Sequence, residues 1–245
     1  MKKTLCAISL TLAATAIPAQ AIGIDQMIKF AQDGEAVFTI TNNDGYRQYV
    51  NVLVADVDVK NGELTYTPYT RENIEKWSLQ VQPPRAVIDN KMRKSFKATY
   101  TSPTLNEDYD KVYQLTFAPT PYFPEGEQPG QAVQVAIGFA PLLIVPAKKD
   151  QPLDFDMSYK SGKVNIVNNG GSYINVLMDT CPVTAVGEER DSCYKVVYVL
   201  KDRKLSVDLT EQMKAADKLR IEVRTHNGDF KQDFDLSNNE AVSEK

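Results

Sequence analysis

The cysteines are the residues of this chain whose type and spacing point most directly to chemistry. Cys181 and Cys193 lie in the second half, and Cys6 lies near the start. A pair this close in sequence usually closes a disulfide when the protein matures in an oxidising compartment. A structural zinc site needs four ligands, which two isolated cysteines cannot supply. We therefore predict a Cys181–Cys193 disulfide and no metal site.

Residues that could carry catalysis are sparse. His226 is the single histidine and lies in a turn sequence, residues 225–228, so we expect an exposed side chain rather than a general base. The sequence contains no nucleophile elbow and no phosphate-binding glycine motif. The acidic pair Glu188 and Glu189 lies in a polar loop between the cysteines, where a solvated turn is the better interpretation. We predict no catalytic residues, no cofactor and no enzymatic activity.

The N-terminus has the organisation of a secretory signal peptide. Met1, Lys2 and Lys3 precede an apolar, uncharged run, residues 5–18, and Ala19-Gln20-Ala21 follows. This order is what a signal peptidase cleaves, and the apolar run is shorter than the about 20 residues that span a bilayer. Cys6 stands at the start of that run rather than after it, which argues against a lipoprotein. The alternative is a short N-terminal anchor, but the cleavage site favours removal of residues 1–21 and a periplasmic mature protein.

The remaining chain of about 220 residues fits one large or two ordinary domains. The formal net charge of the full chain, -4, gives no reason to expect a nucleic-acid partner. The longest later apolar run, residues 136–147, is interrupted by Gly138 and Pro141, so we expect no membrane insertion.

Short alternating strands separated by turn residues dominate the mature chain and predict an all-β fold. Only residues 71–77 look helical, and the polar tail after Leu236 is expected to be disordered. A polar, proline-bearing segment, residues 146–152, separates two strand-rich halves and resembles an interdomain hinge. Residues 39–43 and 165–169 each place a strand before an Asn-Asn turn, which is one internal echo. We predict two immunoglobulin-like β-sandwich domains in tandem, residues 22–146 and 147–245.

The order of several motifs resembles that of the PapD-like periplasmic chaperones of the chaperone–usher pathway, and in particular an alternative branch of that family. The motifs in question are Phe38-Thr-Ile-Thr-Asn-Asn43, Leu79-Gln-Val-Gln-Pro-Pro84 followed by Val87-Ile88, Tyr113-Gln-Leu-Thr-Phe117 followed by Pro119, residues 131–146, Val167-Asn-Asn-Gly170 and the Cys181/Cys193 pair. The resemblance covers essentially the whole mature chain. Each motif is weak by itself, whereas their order and spacing are more specific.

This resemblance implies a protein that binds pilus or fimbrial subunits and delivers them to an outer-membrane usher. The subunits are sandwiches that lack a strand, and the chaperone fills the groove with an edge strand of its own. Alternation in residues 131–145 predicts the donor face Val133, Val135, Ile137 and Phe139. The competing interpretation is an ordinary sandwich strand that packs one face into its own core. Self-association of the free protein through this edge strand is left open.

Members of the family also hold the subunit's terminal carboxylate with a basic pair in the interdomain cleft. One member of that pair comes from the N-terminal segment and the other from the donor strand. Here Lys29 is the only candidate for the first, and residues 138–145 contain no lysine. Either the anchoring differs in this branch of the family, or a basic residue elsewhere supplies the second group, for which Arg85 is the candidate. A solvated surface charge is the alternative for both residues. The alternative function for the whole chain is a structural pilus subunit or adhesin built from immunoglobulin-like sandwiches.

Overall fold

The computed structural model describes residues 22–102, 109–122 and 137–245. The predicted signal peptide, residues 1–21, lies outside these ranges. Within them, no helix is long and apolar enough to cross a bilayer. The strands of the first domain are β1 (Ile22–Ile24), β2 (Ile28–Phe30), β3 (Glu35–Asn42), β4 (Gln48–Lys60), β5 (Glu63–Pro68), β6 (Leu79–Gln82), β7 (Arg85–Ile88), β8 (Arg93–Tyr100), β9 (Lys111–Pro121) and β10 (Leu142–Val145).

These strands form two sheets that enclose the first core. Sheet A has the order β1-β3-β8-β6, and sheet B has the order β2-β10-β9-β4-β5, with β7 also paired to β4. Alternation sends Phe38 of β3 and Phe96 of β8 inward, where both rings lie against Phe117 of β9 at centroid distances of 5.7 and 5.2 Å. All three side chains are essentially inaccessible to solvent. The period of two read from the sequence therefore sets which residues make this core.

Local turn chemistry fixes the hairpins. Asn61 and Gly62 join β4 to β5 with positive φ at both positions, as the two-residue type I′ turn requires. Ser161 and Gly162 do the same for the first hairpin of the second domain. The segment predicted to be helical, residues 71–77, contains a short 3-10 helix over Arg71–Lys76.

The second domain repeats the sandwich. Its elements are β11 (Phe155–Lys160), β12 (Lys163–Asn168), β13 (Ile174–Asp179), α1 (Glu188–Cys193), β14 (Tyr194–Val199), β15 (Lys204–Asp208), α2 (Glu211–Lys214), β16 (Lys218–Arg224), β17 (Lys231–Ser237) and β18 (Ala241–Glu244). Sheet C has the order β15-β12-β11-β18 and sheet D the order β14-β13-β16-β17. Their inner faces share one apolar cluster, to which sheet C contributes Phe155 and Ile166, and sheet D Val176 and Leu236. The predicted all-β, two-sandwich fold is confirmed.

The expected disorder after Leu236 is wrong. β17 runs to Ser237, the chain turns at Asn239 with a φ of 67°, and β18 pairs antiparallel with β11. One side chain, Val242, packs against the core of the domain. A polar tail can thus be ordered when the main-chain hydrogen bonds of an existing sheet edge are available to it.

The two domains meet on a small apolar junction. Ile144 of β10 packs with Tyr173 and Leu200 of the second domain. The Phe30 ring stacks on Tyr173 with centroids 5.0 Å apart and lies edge-on to Tyr198 at the same distance. The predicted domain boundary, between residues 146 and 147, lies in the segment that joins β10 to β11.

Two polar contacts supplement this junction. The Asp110 carboxylate, just before β9, accepts the N–H groups of Ala147 in the linker at 2.8 Å and of Tyr173 at 2.6 Å. On another side, the Arg203 guanidinium donates to the Gly62 carbonyl at 2.6 Å and to the Glu63 carboxylate at 2.5 Å. Both contacts fix main-chain segments of one domain against the other.

Candidate functional site

The segment that leads into β10 contains two members of the predicted donor face, and they differ in environment. Phe139 exchanges both main-chain hydrogen bonds with Phe117, at 3.1 and 2.8 Å, and its half-buried ring packs against the core of its own domain. Ile137 is 61% exposed. The other two members, Val133 and Val135, lie outside the described residues. Phe139 is therefore already used by its own domain, whereas Ile137 presents an apolar side chain to solvent.

A second exposed apolar edge adjoins this segment. β2 runs parallel to β10 and is the terminal strand of sheet B in the described part of the chain. Main-chain bonds from Leu142 N to Met27 O, at 2.9 Å, and from Ala31 N to Ile144 O, at 2.8 Å, hold it in register. Met27 is 51% exposed and Ile28 36%. Exposed apolar side chains at a sheet edge are what strand-adding partners use.

Lys29 lies on β2, but its ammonium group points between the sheets rather than into solvent. It forms an ion pair with Asp25 at 2.6 Å and donates to the Val37 carbonyl. It also lies 5.2 Å from the centroid of the Phe38 ring, in a cation–π arrangement. The Lys29 side chain is 16% exposed and that of Asp25 is 34% exposed. The predicted anchor residue thus has an internal carboxylate partner.

Arg85 lies far from Lys29, so the structure does not bring the two predicted anchor residues together. β7 flanks the far end of β4, where Arg85 pairs with Asn51, which in turn pairs with Ala118 of β9. Lys29 pairs with Leu143 of β10, which in turn pairs with Tyr113 of β9. Strand spacing and rise place the two backbones roughly 25 Å apart. Arg85 is at the end of the sheet away from the second domain, and we remove it from the anchor.

The cleft beside the domain junction, a cavity of about 380 Å³, is lined by charges of both signs. The lysines are Lys76, Lys111 and Lys201, and the acids include Asp56, Asp58, Asp110 and Asp202. Burial raises the pKa of Asp56, although Tyr69 donates a hydrogen bond to it, and burial also raises the pKa of Tyr69. Because the acids offset the lysines, this cleft offers no surplus of positive charge for an anion.

No group of three or more His, Cys, Asp or Glu side chains that could hold a metal ion occurs in the described ranges. The cysteines instead form the predicted disulfide, which is confirmed: Cys181 and Cys193 are bonded, with Cα atoms 5.0 Å apart. Both side chains are buried, and the Arg220 guanidinium donates to the Cys181 carbonyl at 2.6 Å. The disulfide connects the segment after β13 to α1, and its burial is typical of a structural rather than a reactive cysteine pair.

Two acidic residues that the sequence did not single out organise this region. Asp25 accepts the N–H groups of Gln26 at 3.0 Å and Thr39 at 3.1 Å, in addition to holding Lys29. Asp110 joins the two domains, and burial raises its pKa despite its two hydrogen bonds to main-chain N–H groups. The only local signal for Asp25 is its position four residues before Lys29, a spacing that pairs charges on a helix and carries no such expectation in a strand.

Comparison with known families gives one match. The family model described as the CS5 fimbrial protein N-terminal domain matches residues 24–146, which include the exposed segment and the edge strand. No curated protein sequence matches the chain.

Solved structures show similarity over nearly the whole chain, at low sequence identity. The class 5 fimbriae chaperone CfaA has a TM-score of 0.50 and 14% identity, with 90% of this chain and 100% of that chain covered. A chain from the Salmonella enterica SafA pilin–SafB chaperone complex has a TM-score of 0.52 and 15% identity, with 91% of this chain and 98% of that chain covered. A chain from the CsuC–CsuE chaperone–tip adhesion subunit complex of Acinetobacter baumannii has a TM-score of 0.51 and 13% identity, with 90% of this chain and 100% of that chain covered. The two-sandwich fold is therefore the fold of pilus-assembly chaperones.

Proposed function

Because the chain belongs to the CS5 fimbrial protein N-terminal domain family, we propose that it is a periplasmic chaperone of fimbrial subunits. It binds a subunit by adding an edge strand to the subunit's incomplete sandwich and delivers it to an outer-membrane usher. The fold it shares with pilus-assembly chaperones supports this proposal, and so do the neighbouring structures that are named as complexes of a chaperone with a pilin or tip subunit.

The observation that carries the proposal is the exposure of Ile137, five residues before β10, the strand that pairs with the edge strand β2 of sheet B. An isoleucine that is 61% exposed gains little from its own fold, and the segment that it begins leads to Leu142, which pairs with the exposed Ile28 of β2. Burying such a side chain in a groove contributes about 1.5–3 kcal/mol. The donor strand is therefore proposed to comprise Ile137 and the residues before it, with Phe139 remaining in the core of its own domain.

A structural subunit is the competing function, and the family's description as a fimbrial protein would fit it as well. A subunit that receives a donor strand has an open groove in place of one strand. In this chain β10 completes sheet B beside β9, and β17 completes sheet D beside β16. Both sandwiches hold their own closing strand, which favours a donor over a recipient.

The compartment and the type of activity follow from the same features. A buried disulfide is stable in the oxidising periplasm and rare in the cytosol. Strand donation needs no nucleotide and no covalent step, so the proposed role is binding rather than catalysis.

Co-expression with the fimbrial subunits encoded beside it tests the function. We expect the subunits to accumulate in the periplasm as soluble one-to-one complexes with this protein, and to aggregate or be degraded without it. Mass spectrometry of purified complexes and size-exclusion chromatography measure this. If subunit levels do not depend on this protein, and it is instead found in surface fibres, the structural-subunit function replaces the proposal.

A further inference from the structure

Lys29 already has partners in the unbound protein. Its ammonium group contacts the Asp25 carboxylate, the Val37 carbonyl and the face of the Phe38 ring. An ammonium group has three N–H donors, and two of them bond the Asp25 carboxylate and the Val37 carbonyl. A carboxylate from outside therefore meets an ammonium group whose charge Asp25 already pairs, and the two carboxylates compete for it.

Asp25 is the contact that can be replaced. The Val37 carbonyl is part of β3, and the Phe38 ring is fully buried, so neither can move away without opening the sandwich. The Asp25 side chain, in contrast, is 34% exposed. Its Oδ2 atom holds Lys29, whereas its Oδ1 atom accepts the N–H groups of Gln26 and Thr39. Rotation of the carboxylate away from Lys29 would break one hydrogen bond and leave its main-chain contacts largely in place.

We propose that Asp25 is a built-in competitor: it occupies Lys29 in the free protein, and the terminal carboxylate of a bound subunit takes its place. This inference rests on the proposed chaperone function and on Lys29 as the carboxylate anchor. The exchange keeps a mostly buried ammonium group paired throughout, which avoids the cost of an unpaired buried charge.

The arrangement gives reversible capture. The gain from the incoming carboxylate is reduced by the loss of a contact with a similar group, so the anchor orients the subunit without holding it tightly. Because Asp25 remains tethered by Thr39 and Gln26, its effective concentration near Lys29 stays high, and it can recapture the ammonium group as the subunit leaves. A protein that must pass its cargo on needs such a release path.

The experiment is a double-mutant cycle on subunit release. Asp25→Asn keeps an oxygen for the N–H groups of Gln26 and Thr39 but removes the charge that competes for Lys29. Complexes of wild type, Asp25→Asn, Lys29→Ala and the double variant with one subunit are purified, and exchange into excess labelled wild-type chaperone is followed. We expect Asp25→Asn to slow release about five- to tenfold, and to have no such effect when Lys29 is already alanine. Glu35→Gln, which removes the exposed Lys97–Glu35 ion pair of 2.7 Å on the same strand that carries Val37, is the matched control.

The outcomes distinguish failure of the Asp25 exchange from failure of the proposed chaperone function. If folded Asp25→Asn releases the subunit as fast as wild type, or faster, Asp25 is no competitor, and the chaperone function stands because wild type still captures. If wild type captures no subunit, the proposed function fails and the inference with it. Should Asp25→Asn lower the melting temperature, the carboxyl ¹³C signal of Asp25 in the wild-type protein decides. It must shift on subunit binding, and an unchanged signal overturns the inference.

Discussion

Two buried asparagines show how single residues define this fold. Asn42 and Asn168 are both fully buried, and each amide donates to two main-chain carbonyls at 2.8–2.9 Å while its oxygen accepts the N–H of the residue two positions on. The acceptor carbonyls are those of Tyr46 and Ile88 in the first domain and of Ser172 and Val199 in the second. The Asn-Asn echo in the sequence is therefore one hydrogen-bonding device used at the same corner of both sandwiches.

Replacement of Asn168 by alanine should destabilise the second domain by about 2–4 kcal/mol, because the Ser172 and Val199 carbonyls lose the buried amide that donates to them. Urea unfolding followed by circular dichroism measures the change. The neighbouring Asn169 is exposed, so Asn169→Ala is the matched control and should change the free energy of unfolding by less than about 0.5 kcal/mol. Equal effects of the two substitutions would contradict the role given to the buried amide.

At the scale of elements, the run from residue 137 to β10 changes its role along its length. It begins with the exposed Ile137, crosses to sheet B at the Phe139–Phe117 bridge and ends as β10, where Leu143 and Val145 are buried. A single segment thus passes from the proposed partner's core into the protein's own. Because β10 pairs with both β9 and β2, the exposed part is held on a fixed base.

Ile137→Asp should leave the melting temperature unchanged, because the side chain is 61% exposed. It should abolish subunit capture, since a carboxylate would be forced unpaired into the subunit's groove. Phe139→Ala is the contrasting variant: its ring packs against the chain's own core, and its loss should cost about 1–2 kcal/mol of stability. Thermal melts beside co-purification of the subunit measure both effects. A folded Ile137→Asp protein that still captures subunits at wild-type yield rules out this residue as a donor.

At the scale of the whole molecule, the angle between the domains depends on a few contacts. Phe30 and Tyr173 provide the apolar centre, and the Asp110 carboxylate binds the linker and the second domain together. The edge strand β2 takes part directly, because Phe30 lies on it beside Ile28 and Lys29. The exposed edge proposed to bind subunits and the domain junction therefore share one three-residue strand.

Asp110 should make the stability of this junction depend on pH. Burial raises its pKa in the folded protein, with the nearby His226 charge lowering and the Asp150 charge raising it to smaller extents. A raised folded pKa means that this group's contribution to stability is fully present below its ordinary value of about 4 and is lost as the pH rises through the folded pKa. The free-energy gap between wild type and Asp110→Asn should therefore be larger at pH 4 than at pH 7.

Urea unfolding of the two proteins at pH 4, 5, 6 and 7 measures that gap. Asp217→Asn, which removes an exposed carboxylate, serves as the reference substitution. A gap for Asp110→Asn that stays constant, or that widens toward neutral pH, contradicts the assigned effect of burial.

The sequence by itself determined the features that local chemistry controls. Alternating apolar residues defined the strands and the faces they bury, and the spacing of Cys181 and Cys193 predicted their disulfide. The order of the motifs was sufficient to indicate two sandwiches, because strand period and turn conformation depend on residues that are neighbours in the chain.

Only the tertiary structure decided which residues the site can use. Alternation places Ile137 and Phe139 on one face, but it does not say that Phe139 meets Phe117 while Ile137 stays in solvent. Lys29 is one basic residue among many until the fold places it over Phe38 and beside Asp25. Burial and charge pairing depend on segments that are distant in sequence and meet only when the sheets pack, so no local pattern contains them.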